Sequence, residues 1–379
     1  MKPESDSNGR KTAPLAFSRL CPAHLYTSSR SNHCIAMSSS HQVAIPQGTA
    51  EKTHFSPLSE ARTLRGGGCD VTQEDVINMN ENLIPTLPEE YRVIATNVIN
   101  FGWASLAHSS RWFFKKDSQD RIIGAVMNDL RDCYTRAFCP LSLLDEVLEE
   151  ALDWHAEVIF FGSAPQYQTE VLKAVMARHA YTSPTGFESY AMIVMNDHER
   201  FVQAKNSRVS LPTGFVGDSL NHPADSAYIN DSWAYRSSTS YIALAESIHS
   251  RPSACIRDPK RLGLQNHPEF ALTNDLAGWE ICRGDFSLGS LRVLDPYQGK
   301  GFGKWLSIEL TSRILEQVPE PAFAHAVASP HPTPIAFVDV DNHASFKLHA
   351  GLGYDRMPNQ LFSWVRWNRP GVHGDEMVA

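Results

Sequence analysis

Val293-Leu294-Asp295-Pro296-Tyr297-Gln298-Gly299-Lys300-Gly301-Phe302-Gly303-Lys304 is the stretch that decides the reading. A β-rich run from Asp285 to Leu294 leads into it, and an amphipathic helix follows. Where a strand turns on glycines into a helix start, the first backbone N–H groups have no intrahelical partner. Those groups and the positive end of the helix dipole make an anion cradle that suits a pyrophosphate. Glycine lets the backbone approach such a ligand because no Cβ stands in the way. Lys300 and Lys304 add positive charge to the same loop. The stretch is not a P-loop, because neither Gly-Lys pair precedes Ser or Thr, and it lacks the third glycine of a dinucleotide fingerprint.

Downstream, Ile335 to Asp341 alternates and is β-branched, so it reads as a strand. Asn342 then makes a good N-cap. Phe346, Leu348 and Leu352 supply the apolar face of a helix, and Gly353 is placed to stop it as a C′ residue. Strand, Gln298-x-x-Gly301-x-Gly303, helix, strand, Asn342-x-x-Ser345, helix, Leu352-Gly353-Tyr354 resembles the pattern of the GCN5-related N-acyltransferase (GNAT) superfamily.

A narrower resemblance covers about Asn80 to Trp367, strongest in the C-terminal half. His222-Pro223 begins a segment ending Ile229-Asn230-x-x-Trp233. A helix over Ser240–Ser250, Pro252-Ser253-Ala254-Cys255 and Gly278-Trp279-Glu280-Ile281 follow. This is similar to the glycine N-acyltransferase-like (FR47-like) family. Ser110 to Phe114 and Glu188 to Met192 match its N-terminal half more loosely. The resemblance implies a mixed α/β fold with a central sheet flanked by helices. It implies two tandem GNAT-like halves, the first degenerate and without the glycine loop. It also implies acyl-CoA or acetyl-CoA as co-substrate, with no metal, and a small amine or amino acid such as glycine as acceptor.

In that family the strand before the glycine loop supplies backbone donors to the developing oxyanion and to the pantetheine amides. The positions here are Leu291, Arg292 and Val293. Gln298, Gly299, Lys300, Gly301, Phe302, Gly303 and Lys304 would hold the pyrophosphate, and Asn342 and Ser345 the CoA arm. The family's catalytic glutamate falls on Ser287, a poor base, which puts the mechanism and the glycine specificity in question. Amine attack on a thioester needs a group to take the amine proton. Asp285 is the first candidate, two residues before Ser287 and so on the same face of a strand. Glu280, on the preceding strand, is the second. His349 lies where the superfamily often carries a tyrosine acid, and imidazole can donate a proton near neutral pH. Two other readings stay open: an N-acetyltransferase acting on a protein or peptide amine, and an acyl-CoA-binding protein without turnover.

Composition fits a globular protein with two domains. The chain has 379 residues, 42% hydrophobic and 20% charged, which is ordinary. A net charge of −8 argues against nucleic acid or an anionic membrane surface as partner. No apolar run is long enough to span a bilayer. The 7 cysteines include no C-x-x-C pair and read as reduced thiols. His325, His331, His343 and His349 lack zinc-site spacing. The expected division is a disordered tail over 1–75, closed by Arg65-Gly66-Gly67-Gly68, a first half over 76–205 and a catalytic half over 206–370. Between Ser7 and Ala50 the tail holds Arg10, Lys11, Arg19 and Arg30 and no acid, in the manner of a mitochondrial transit peptide. Glu4 and Asp6 oppose that reading. A cytoplasmic monomer is therefore the expectation, with the mitochondrion as alternative.

Overall fold

The structure, a computed structural model, describes residues 63–371 except 103–109, 130–133, 184–188, 209, 222–223, 233–237, 261–274 and 318–330. The expected tail and its targeting signal lie outside the described residues up to 62. From Thr63 onward the expectation of disorder is corrected. Leu64 is buried and bridges to Leu152, and Cys69 bridges to Trp112. A short helix α1 (Gln73–Asn78) starts on a Thr72–Asp75 capping box.

The chain then runs α2 (Glu89–Thr96), β1 (Ser110–Lys116), β2 (Ile122–Asp129), β3 (Tyr134–Phe138), α3 (Leu141–Ala151), β4 (Val158–Pro165), α4 (Gln166–Arg178) and β5 (Tyr190–Met195). It continues through α5 (His198–Asn206), β6 (Val216–Asp218), α6 (Ala224–Asp231), α7 (Ser238–Ser250), β7 (Ser253–Arg257), β8 (Leu276–Cys282) and β9 (Ser287–Val293). The last elements are α8 (Phe302–Leu315), β10 (Ile335–Asp339), α9 (His343–Ala350) and β11 (Tyr354–Asn368). β1 and β2 form a hairpin, joined antiparallel around Asp117 to Arg121.

Among the described residues the strands form one mixed sheet in the order β1-β2-β3-β4-β11-β5-β10-β9-β8-β7-β6. The architecture is mixed α/β, a central sheet flanked by helices, as the sequence implied. The last strand, β11, lies between β4 and β5 and is antiparallel to both. Ala191 to Met195 is apolar without a break because helices cover both faces there. Met192 and Val194 pack with α1 and α2; Ile193 and Met195 pack with residues of α5 and α8. On the β7–β8 side, Trp279 and Ile281 pack with Ile229 of α6 and Leu244 and Ile248 of α7.

Two local expectations are corrected. Helix α9 ends at Ala350, and its C-cap is Gly351 rather than Gly353. Gly353 has φ 86°, and a Cβ there would sit 2.3 Å from the Asp197 carbonyl oxygen, so close approach is what requires this glycine. Asp285 lies in the turn between β8 and β9, not on the strand.

Candidate active site at the split between β9 and β10

β9 and β10 run parallel, and only Ser287–Ile335 and Leu288–Ala336 are in register. Beyond those pairs β10 stays with β5 as far as Asp339, while β9 stays with β8 as far as Val293. The two strands part, and among the described residues the edge of Gly289 to Val293 that faces β10 carries no ladder. A crevice beyond the carboxyl ends of parallel strands is where open α/β sheets take ligands. The expected backbone donors Leu291, Arg292 and Val293 stand along this edge.

The split coincides with a β-bulge. Trp279 opposes Arg292 and Ile281 opposes Gly289, so Ser290 and Leu291 together face Glu280. Ser290 has φ 54°, a region that non-glycine residues seldom occupy. A bulge bends its strand and re-aims the groups on it.

The glycine loop closes the end of the crevice. Gly299 has φ 74° and Gly301 φ 79°, and a Cβ at either would meet nothing within 4 Å, so the loop faces open space. Gly301 is the N-cap of α8 and no side chain caps the helix. The first N–H groups of α8 are therefore available to an anion. The Gln298 side chain donates to Val293 O (3.2 Å) and Asp295 Oδ1 (3.0 Å), which ties the loop to the end of β9. Buried Phe302 packs with Tyr297 and Phe215 beneath the loop, and Tyr297 donates to Asp258 Oδ2 at 2.8 Å. Lys300 and Lys304 are exposed, Lys300 lying 5.3 Å from the Tyr297 ring centre. Across the crevice, Leu348 of α9 lies 4.0 Å from where a Gly303 Cβ would stand. Asn342 caps α9 by accepting from the Ser345 amide at 3.0 Å. The glycines, the uncapped helix start and the unpaired edge of β9 fit the pyrophosphate and amide groups of CoA. Among the described residues no group of three or more His, Cys, Asp or Glu could hold a metal.

The two carboxyl candidates differ sharply. Glu280 is fully buried beneath α8, and burial pushes its carboxyl up to about 8, the nearby Ser307 hydroxyl only partly opposing this. Neither Glu280 Oε2 nor Ser307 Oγ has a hydrogen-bond partner among the described residues. Asp285 is equally buried, and burial alone would raise it. Arg136, the Ser287 hydroxyl and amide, and Arg251 instead hold it below the ordinary carboxylate value. Its Oδ1 accepts from Ser287 Oγ at 2.6 Å and Ser287 N at 3.1 Å; its Oδ2 lies 3.4 Å from Arg136 Nη2 and 3.3 Å from Ser163 Oγ. Asn97 donates to the Asp285 carbonyl and to Thr333 O, which fastens the turn beneath the segment that follows α2.

His349 is buried as well. Its Nδ1 lies 2.9 Å from Ser345 O, a contact in which Nδ1 must be the donor. Nε2 is then an acceptor, and it has no partner among the described residues. Burial lowers His349 from its ordinary value, partly offset by that hydrogen bond, so the ring is neutral at neutral pH. Its ring meets Tyr354 edge-on at 5.2 Å. Tyr354 pairs with Thr311 Oγ1 at 2.7 Å and is held above its ordinary value by burial. Ser307, Thr311 and Tyr354 were missed as site neighbours. Spacing of i, i+4 puts Ser307 and Thr311 on one face of α8, but nothing local shows that the face covers Glu280.

Compared with known proteins, the chain matches no protein-family model and no curated protein. Solved structures do match. A Drosophila protein is 17% identical, covers 82% of this chain and 100% of its own, and has a TM-score of 0.58, a likeness of fold alone. A tandem GNAT protein from the clavulanic acid biosynthesis pathway is 14% identical over 79% of this chain and 96% of its own, with a TM-score of 0.42. A GCN5-related N-acetyltransferase-like protein from Streptococcus suis is 12% identical over 77% of this chain and 100% of its own, with a TM-score of 0.41.

Proposed function

We propose that the chain is an acyl-CoA-dependent N-acyltransferase of the GNAT superfamily, close to its glycine N-acyltransferase-like branch, acting on the amine of a small acceptor such as an amino acid. The observation that carries this reading is the split of β9 from β10 directly before the uncapped glycine start of α8. Acyl-CoA is the substrate that matches it. Gly299 to Lys304 take the pyrophosphate, the free edge of Leu291 to Val293 pairs with the pantetheine amides, and Asn342 and Ser345 border the arm. The acceptor nitrogen attacks the thioester carbonyl, a C–N bond forms, the C–S bond breaks and CoA leaves as the thiolate, which takes a proton from solvent. N–H groups at the bulge stabilise the oxyanion. We assign the amine proton to Glu280, which stands on β8 opposite the bulge residues Ser290 and Leu291 and whose carboxyl burial raises, rather than to Asp285, which Arg136 holds down. Asp285 becomes an anchor for the β8–β9 turn. His349, neutral and with its free nitrogen an acceptor, is not given the acid role. We also propose the division into halves at 205/206, with the second half active, and a cytoplasmic monomer.

Ser287 in the place of the family's glutamate favours a second reading, binding of acyl-CoA without turnover. Calorimetric titration with CoA, followed by mass spectrometry of acceptors incubated with isotope-labelled acetyl-CoA, separates the two. Binding with a labelled amide product supports the transferase. Binding without product on small amines or peptides supports the second reading, and no binding removes both.

A further inference from the structure

One contact at the bulge is not explained by CoA binding or by proton transfer. Arg283, in the β8–β9 turn, donates from Nη2 to Ser290 Oγ at 2.9 Å. The turn that carries Arg283 is closed by its own backbone, since Arg283 N donates to Ser287 O at 2.9 Å and Phe286 N donates to Arg283 O at 3.0 Å. Its side chain passes close to Gly289. A Cβ at Gly289 would stand 3.1 Å from Arg283 Nε and 3.3 Å from Cγ, tighter than ordinary contact. A side chain at 289 would make the arginine give way by a few tenths of an ångström.

Ser290 is the strained member of this group. At φ 54° a residue with a Cβ pays a steric penalty that persists only when its surroundings hold it there. Among the described residues no strand pairs with Ser290 on the β10 side, because β10 has already left. The described contact on its hydroxyl is Arg283. Strain at the residue where the strand turns out of register, between the Gly289–Ile281 and Arg292–Trp279 pairs and with an arginine on its hydroxyl, points to a positioning device.

We propose that Arg283 is a positioning residue for the transfer step: by fixing Ser290 in its left-handed conformation it sets the bulge of β9 and so aims the backbone N–H groups that follow, from Leu291 onward, into the crevice. The inference rests on the acyltransferase reading for its effect on turnover, and on the geometry alone for its effect on β9. Arg283 is not assigned a contact with CoA. It acts through Ser290.

The test uses the full chain with Arg283→Met, Arg283→Met/Ser290→Gly and Gly289→Ala. Three quantities are read: the rate of amine-dependent thiol release, the Kd for CoA by calorimetry, and amide hydrogen exchange along β9. Glycine occupies positive φ without a clamp, so it should do unaided what Arg283 does for serine. In Arg283→Met the rate should fall about a hundredfold while the Kd for CoA changes by less than about threefold. Adding Ser290→Gly should recover about tenfold or more of that loss. Gly289→Ala, which leaves both partners in place but crowds the arginine by a few tenths of an ångström, should lower the rate in the same direction by a smaller factor and covers the case in which Arg283→Met does not fold. A double variant as slow as Arg283→Met would overturn the proposal, because it would mean that the guanidinium acts on the substrate itself. If the unaltered chain turns over no acyl-CoA, the acyltransferase reading fails, and exchange still decides this one. Faster exchange at Leu291 to Val293 in Arg283→Met, reversed by Ser290→Gly, supports the clamp; unchanged exchange overturns it.

Discussion

Two strand-to-helix crossovers of this sheet begin alike and end differently. β4 runs directly into α4 with Pro165 as N-cap. The buried Gln168 in its first turn donates to Ala137 O at 3.2 Å, so this helix start is packed against β3. β9 instead passes through Asp295 to Gly301, and α8 starts exposed, uncapped and with no Cβ over it. β4 pairs with β11 along one edge and meets β3 at Thr135–Phe161, and β9 likewise meets β10 over a short stretch, so what separates the two crossovers is the open, uncapped helix start rather than the ladder alone. A helix N-terminus is common; one facing a gap in the sheet is what makes a binding crevice. A similar contrast separates two carboxyls five positions apart. Glu280 and Asp285 are both fully buried, yet one is pushed up and the other held down. Burial sets the cost of charge, and the partners decide its direction.

The first contrast breaks most completely at Gly301. Gly301→Glu puts a carboxylate in the anion cradle and a Cβ at φ 79°. CoA affinity should fall by about a hundredfold or more, while the strain costs only about 1–2 kcal/mol. Calorimetry beside a thermal melt checks both; a small charge change on the α4 crossover should leave CoA binding alone.

Turnover sharpens the second contrast. Glu280→Gln should lower kcat about a hundredfold with the Kd for CoA unchanged. The limb of the unaltered protein's pH–rate profile that rises with pH should have its midpoint near the Glu280 value of about 8 and should vanish in the variant. A limb that persists in Glu280→Gln would return the base to another group.

Stability should divide the same pair with opposite signs. Glu280 is raised on folding, so the unfolded chain loses its proton first as pH rises. The stability it contributes is present below the unfolded value of about 4.5 and is lost progressively towards about 8. Melting temperature should therefore slope less steeply from pH 5 to 8 in Glu280→Gln. Asp285 is lowered, so its contribution is present above the ordinary carboxylate value of 3.8 and is lost as pH falls through its folded value. At neutral pH, Asp285→Asn should destabilise the fold by about 3–5 kcal/mol, because it leaves the buried Arg136 without that counter-charge. The smallest effect is expected at Asn342→Ala, about 1 kcal/mol from loss of the α9 cap, read by urea unfolding.

The glycine start of α8, the Asn342 cap and the β10 strand were legible because each is local, written in spacing and in residues with one preferred backbone. The β-bulge was not, since Ser290 shows its positive φ only once β8 and β9 are in register. The fate of Asp285 was hidden for a related reason: Arg136 stands 149 positions away, and Asn97 188. The sequence places Glu280 on the strand before Asp285, but nothing local shows that α8 covers it. The place of β11 between β4 and β5 also depends on long-range pairing that periodicity does not encode.

The central claim is that the β9–β10 crevice moves an acyl group from CoA to an amine. Its most direct test is thiol release by the full chain from acetyl-, benzoyl- and longer acyl-CoAs, with and without a panel of amino acids and amines. The account predicts release that depends on the amine and disappears in Gly301→Glu. Tight CoA binding with no amine-dependent release from any donor, on amines or peptides, would contradict it.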